Sequence, residues 1–235
     1  MAEQRTYRLG NRVTVTTTRR GPERLSADRI VEVAIEQMRR SGYDAVTMRS
    51  IAAELGTGQA SLYAHVANRN ELDALVMGRI SAMLVVPEPD PDHWDEQIAG
   101  LAMDMLANFR QHPGTARCTM GNMPTSREAL VPVEGLFAIL RAGGVPDQDA
   151  SWFGDALALY VASVAWEEDI WKSRARAVDV SEENAWDHIP DVFESLDPEE
   201  FPVLTSMGET LMTGDAEERF AFGVNLLLSG LKSRM

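Results

Sequence analysis

The sequence predicts an all-α protein, and three observations carry that expectation. From Asp28 onward apolar residues recur at three- and four-residue spacing, with no run that alternates apolar and polar residues over the length of a strand. Gly42, Gly56, Gly143, Gly144 and Gly214, with Pro87, Pro89 and Pro91, fall between those runs as stops and breaks. A length of 235 residues at 45% hydrophobic content supports one good-sized core plus a small domain. The expected division is an arm over 1–24, a small three-helix domain over 25–70, and a larger helical domain over 71–235.

Arg5, Arg8, Arg12, Arg19, Arg20 and Arg24 lie among Thr, Gly and Val with no helical period, so 1–24 is expected as a basic, flexible arm without regular structure. The strand propensity of Val13 to Thr18 leaves a local hairpin open. Ser26 is suited to N-cap the first helix, with Asp28 in its first turn and Arg39 and Arg40 in its last, complementing the helix dipole. Ile30, Ala34, Ile35 and Met38 form its buried stripe, Gly42 ends it, and Tyr43 and Val46 pack behind. Thr47 then caps a short helix whose apolar face is Ile51, Ala52 and Leu55, and Gly56 stands where a left-handed C-cap is wanted. After a tight turn, Ala60, Leu62, Tyr63 and Val66 predict a second short helix. Thr57, Gln59 and Ser61 place small or hydrogen-bonding side chains at its start, types that read base edges in a DNA groove. Two short helices joined this way are helix-turn-helix grammar.

A fourth helix is expected from Arg69 through Leu72, Leu75, Val76 and Ile80 to about Leu84, passing from the first domain into the second before the three prolines interrupt the chain. Further helices are expected at 94–111, 113–119, 126–141, 147–176, 182–195, 199–206 and 216–233. The acidic, weakly apolar stretch 177–197 reads as an excursion between the two longest C-terminal helices.

Leu62, Tyr63, His65, Val66, Arg69, Glu71, Leu72, Leu75 and Val76 spell LYxHVxxRxELxxLV. With the helices before it, this stretch resembles the DNA-binding domain of the tetracycline-repressor (TetR) family, closely over 28–80 and fading beyond. The resemblance implies that the second short helix enters the major groove, that Tyr63, His65 and Arg69 anchor phosphates, and that Gln59 and Ser61 read bases. Arg49 matches an arginine that reads guanine from the preceding helix, and Ala60 stands where the family often has Pro or Val. The DNA-contacting set expected from motif and resemblance together is Thr47, Arg49, Thr57, Gln59, Ala60, Ser61, Tyr63, His65 and Arg69.

The formal net charge of −14 divides unevenly: residues 1–70 hold 11 basic against 7 acidic side chains, and residues 71–235 hold 11 against 29. Phosphate attraction therefore sits at the N-terminal end while the acidic body repels DNA, orienting the approach. The arginines of the arm either follow the DNA backbone or the minor groove, or serve only solubility.

Ala156, Ala158, Ala162, Ser163 and Ala165 keep one long helix thin. Phe220, Val224, Leu227 and Leu231 line another, with Gly223 and Gly230 beside them, and small residues permit close helix approach. The resemblance implies that this pair forms a four-helix bundle with a second copy, giving a homodimer and a palindromic operator with half-sites about one DNA turn apart. Methionines and aromatics between Met103 and Trp171 suit an adaptable pocket. Met103, Phe109, Met120, Met123, Phe137, Tyr160 and Trp166 are the expected ligand-binding residues, with Trp166 facing either the cavity or the partner subunit.

Enzymatic readings find little support. Glu167, Glu168 and Asp169 are consecutive, so they point round their helix instead of converging as an acid–base pair. There is no Gly-rich phosphate loop, GxSxG or HExxH. His65, His93, His112 and His188 are scattered, so no metal site and no cofactor are expected. In the tetracycline-binding branch a histidine near the end of the sixth helix holds a metal–drug chelate; residues 116–121 here, ARCTMG, contain none. The lone Cys118 excludes an internal disulfide and fits a reducing compartment. No span for a membrane and no secretory signal are read from the sequence, so the expected location is cytoplasmic. The expectation is a ligand-responsive transcriptional repressor, bound to its operator as a homodimer and released by a small hydrophobic or aromatic molecule. The alternatives are a constitutive DNA-binding protein without inducer, and an all-α small-molecule-binding or enzyme domain with a vestigial helix-turn-helix.

Overall fold

The structure, a computed structural model, describes residues 3–9, 13–19, 25–177 and 192–235. From Ala27 on, the described chain is helical. Ahead of it, β1 (Glu3–Leu9) and β2 (Val13–Arg19) pair antiparallel in the register Glu3↔Arg19 to Leu9↔Val13. The arm thus contains the local hairpin that the Val13–Thr18 propensity leaves open, in place of the irregular structure expected.

Helix α1 (Ala27–Ser41) starts where Ser26 Oγ accepts a hydrogen bond from Arg29 N at 3.2 Å. It ends at Gly42, whose φ of 79° only glycine adopts readily and whose N–H donates to the Met38 carbonyl at 2.8 Å. Ile30, Ala34 and Met38 are buried as the periodicity predicts, joined by Val31 and Val33, while Ile35 is only partly buried. A 3-10 turn (Tyr43–Ala45) leads to α2 (Met48–Glu54) and α3 (Gln59–Tyr63). Ile51 of α2, Leu62 of α3 and Val66 just after it are fully buried in one core with Ile30, Ala34 and Met38 of α1.

Helix α4 (Arg69–Ser81) is capped by Asn68 and buries Leu72, Val76, Met77 and Ile80. It stops short of Leu84 because Asn108 Nδ2, from the next helix, donates to the Ile80 carbonyl at 2.7 Å and so satisfies the helix end. The expected 70/71 division falls in the first turn of α4, which packs against both halves of the molecule. Then follow α5 (Trp94–Gln111), a 3-10 turn (Thr115–Thr119), α6 (Arg127–Ala142), α7 (Asp147–Ala177), α8 (Pro202–Met207) and α9 (Ala216–Lys232). The helix expected over 113–119 is this tighter turn, entered through Gly114 in the left-handed region at φ 84°. The helix expected over 199–206 begins at Pro202, a residue suited to a first helical position. Most of the helix expected over 182–195 lies outside the described residues.

The two halves share a core. One cluster of buried apolar side chains runs from Ile30 to Leu231, and Cys118 Sγ lies 3.9 Å from Met38 Sδ within it. The stripe Phe220, Val224 and Leu231 of α9, expected at a dimer surface, faces this core and is buried; Leu227 is partly so. On α7, Ala162 and Ala165 are likewise buried, whereas Ala156, Ala158 and Ser163 are exposed. The outward face is carried instead by Trp152 and Leu159 on α7 and by Phe222 and Leu226 on α9, with Trp152 62% and Phe222 66% exposed.

Candidate nucleic-acid interface and sensor core

The helix-turn-helix is held from beneath by a polar clasp. Thr47 Oγ1 accepts from Ser50 N at 3.0 Å while Ser50 Oγ accepts from Thr47 N at 2.9 Å, a reciprocal cap that fixes the start of α2. Gln37 of α1, almost wholly buried, donates to the Ser50 carbonyl at 3.1 Å and to Glu54 Oε2 at 2.7 Å, and accepts from Ser50 Oγ at 2.8 Å. Arg40 reaches Glu54 at 2.6 Å. The Gln37 hydrogen bond first, and then Arg40, holds the Glu54 carboxyl below its ordinary range. These contacts join α1 to α2.

Thr47, Arg49, Gln59, Ala60, Ser61, Tyr63 and His65 are exposed, and Thr57 is half-buried in the turn. Gln59 Nε2 donates to the Tyr63 hydroxyl at 3.2 Å, so the first and last residues of α3 are tied one turn apart on its outer side. Arg49 forms no ion pair among the described residues. A long cation on α2, with an amide, two small side chains and a phenol on the five-residue α3, suits base edges and phosphates.

Arg69, expected at a phosphate, makes contacts within the chain here. Its side chain turns inward: Nε lies 2.8 Å from Asp73 Oδ1, Nη1 donates to the Val46 carbonyl, and the guanidinium sits 4.1 Å from the centroid of the Tyr43 ring. Asp73 is 4% exposed and also accepts from the Tyr43 hydroxyl at 2.5 Å. Burial opposes the charge on Arg69, but Asp73 beside it more than offsets this and holds the guanidinium above its ordinary pKa. The physical reason is an i,i+4 pair facing a buried acid: an unpaired Asp73 is costly, and Arg69 is the cation within reach. The i,i+4 spacing of Arg69 and Asp73 is the sequence signal for this pair.

The residues expected to bind ligand divide. Phe109 is buried, and Met103, Met120, Phe137 and Trp166 are partly buried against the shared core. Met123, 78% exposed, lies outside that core in the link between the 3-10 turn and α6. Tyr160 is committed to α9: its ring stacks on Phe220 at 5.4 Å and its hydroxyl donates to the Phe220 carbonyl at 3.2 Å. Gly223 permits this, since a Cβ there would stand 2.1 Å from the Tyr160 hydroxyl. Trp166 is partly buried against the core. The Arg117 guanidinium covers its ring at 4.3 Å. A groove of about 300 Å³ opens elsewhere, where Met83, Leu84 and Val85 face Asp104, Asn108 and Gln111.

The corner between α5 and α6 is pinned to α7. Arg110 makes a paired contact with Glu168 at 2.9 and 2.8 Å, and Gly114 N donates to Asp169 Oδ2 at 2.6 Å. Cys118 is fully buried, and burial, with Asp73 nearby, pushes its thiol well up, so it serves packing and not thiolate chemistry. Among the described residues no group of three or more His, Cys, Asp or Glu is arranged to hold a metal ion, and no helix is long and apolar enough to cross a membrane.

Comparison with known proteins agrees with this arrangement. Residues 30–73 match the family described as bacterial regulatory proteins, tetR family, and residues 86–235 match the tetracyclin repressor-like C-terminal domain. The chain is 27% identical over 216 residues to the HTH-type transcriptional repressor DrrR1 of Streptomyces coeruleorubidus, covering 91% of this chain and 80% of that protein. It superposes on Streptomyces coelicolor ActR in complex with actinorhodin with a TM-score of 0.78 at 33% identity, covering 90% and 98% of the two chains. For apo ActR the TM-score is 0.76 at 34% identity, covering 91% and 96%.

Proposed function

The chain belongs to the TetR family of bacterial transcriptional regulators, and on that premise we propose that it is a ligand-responsive repressor, binding a palindromic operator as a homodimer and released by a small hydrophobic or aromatic molecule. Regulators of this family are generally non-enzymatic DNA-binding proteins. The observation that carries the reading is the outer face of the helix-turn-helix, where Arg49, Gln59, Ser61, Tyr63 and His65 stand exposed above the buried anchors Leu62 and Val66. Arg49 and Gln59 read bases, Tyr63 and His65 meet phosphates, and the arginines of 1–24 add phosphate contacts beside them.

The exposed apolar face of Trp152, Leu159, Phe222 and Leu226 supports pairing with a second copy, since an apolar patch of this kind on a monomer marks an interaction surface. Induction is a population shift: ligand held by the core between α5, α6 and α7 favours a form whose two reading heads are wrongly spaced, and DNA affinity falls by the same coupling factor. ActR has been solved with actinorhodin and with (S)-DNPA, which makes these the first compounds to try. The test begins with selection of duplexes from a random pool by the purified protein. A palindrome is expected, with protection of both half-sites in footprints. Titrating actinorhodin onto that complex is then expected to release the DNA. Failure to select any sequence overturns the repressor reading, and binding that no small aromatic compound relieves favours the constitutive alternative.

A further inference from the structure

We infer that Arg117 is the positioning residue through which the sensor domain sets the recognition helix, by a stack of alternating cations and rings that crosses from α7 to the start of α4. The stack runs Trp166, Arg117, Tyr43, Arg69. Arg117 lies 4.3 Å from the Trp166 centroid and 5.4 Å from that of Tyr43, and Arg69 covers Tyr43 at 4.1 Å. Its members come from four separate elements: α7, the 3-10 turn Thr115–Thr119, the 3-10 turn Tyr43–Ala45, and the first residue of α4. The inference rests on the repressor reading above and adds the route of its regulation.

Each end of the stack is anchored. On the sensor side the segment carrying Arg117 is fixed to α7 by Arg110 with Glu168 and by Gly114 with Asp169, so a shift of α7 carries Arg117 with it. On the reading side Tyr43 and Arg69 share Asp73, and Arg69 also grips the Val46 carbonyl, one residue before the cap of α2. Gly114 approaches α1 so closely that a Cβ there would stand 3.1 Å from Met38 Cβ, which leaves the turn little freedom to slide without moving α1. A guanidinium held between two rings has a narrow choice of positions, because attraction falls away once it leaves the ring faces. A displacement of Trp166 therefore changes where Tyr43 and Arg69 rest, and these two set the entry to α2 and the exit from α3. Discrete packing of this kind passes small shifts onward instead of absorbing them.

The test uses the full chain, a duplex selected by the wild-type protein, and Trp166 fluorescence, taken as the difference between wild type and Trp166→Phe. Coupling is reciprocal, so DNA binding should change the Trp166 signal. Arg117→Met keeps the apolar stem without the planar cation; it should still bind the duplex while the Trp166 response to DNA is lost. Arg117→Lys, which keeps a cation, should recover part of it. With actinorhodin as probe, the ratio of DNA affinity without and with ligand should shrink by roughly two- to thirty-fold in Arg117→Met, with ligand affinity in the absence of DNA little changed. An Arg117→Met protein that keeps both the fluorescence response and the release ratio overturns the inference, as does a wild-type protein that binds DNA with Trp166 silent. A wild-type protein that selects no duplex overturns the repressor reading itself, and this inference with it.

Discussion

Asp73 Oδ1 lies 2.8 Å from Arg69 Nε, one turn along α4, and this pair turns inward the guanidinium that the signature motif would place on DNA. Arg69→Ala leaves Asp73, 4% exposed, without its cation. The variant should lose about 3–5 kcal/mol of stability, the cost of stranding a buried charged partner, read as a lower urea midpoint. Operator affinity should fall because α2 and α3 are less well held, with the slope of log affinity against log salt unchanged. A slope shallower by about one per half-site would return Arg69 to the phosphate backbone.

Arg49 is the contrasting arginine, exposed on α2 and free of ion pairs among the described residues. Arg49→Ala should cost about 1–3 kcal/mol per half-site and relax preference for one guanine, with no change in urea midpoint. Reselection of binding sites by the variant checks this; recovery of the wild-type motif would remove Arg49 from base reading.

Tyr43 predicts a pH dependence. Burial first, then the hydrogen bond to Asp73, pushes its phenol from 10.0 up to about 12. The folded state therefore favours the neutral phenol, and the unfolded chain gives up its proton first as pH rises. The stabilisation is fully present below the unfolded pKa of 10.0 and is lost as pH climbs from there towards about 12. Urea midpoints across that window should decline in wild type and decline less in Tyr43→Phe; parallel curves would mean that Tyr43 titrates alike in both states.

Much of this was legible in the sequence because local chemistry set it. Ser26, Thr47 and the glycines after α1 and α2 fix those helix ends through their own backbone and side chains, so the bounds of the reading domain follow from residue type. What was not legible depends on distant partners. The end of α4 is set by Asn108, 28 positions beyond Ile80, and the stack of Trp166, Arg117 and Tyr43 brings together residues with no spacing rule to announce them. The face of α9 is a third case. Phe220, Val224, Leu227 and Leu231 make one apolar stripe and Phe222 with Leu226 another, and periodicity does not say which meets the chain's own core. Tyr160 decides it, because its stack on Phe220 and its close approach to Gly223 turn the first stripe inward.

That orientation yields the last prediction. With Phe220, Val224 and Leu228 buried, the residues left to meet a second copy are Phe222 and Leu226 on α9 and Trp152 and Leu159 on α7. Leu226→Glu puts a charge on the exposed face, where it costs the monomer little and a desolvated interface much. It should sediment as a folded monomer. Operator affinity should then fall by roughly a hundredfold or more, because two reading heads that bound as one unit now bind separately. Phe220→Ala acts on the inner face and should do the reverse, losing about 3–5 kcal/mol of stability to the cavity left beside Tyr160 while the protein that remains folded stays dimeric. If Leu226→Glu sediments as a dimer and Phe220→Ala as a folded monomer, the two stripes of α9 have been assigned the wrong way round.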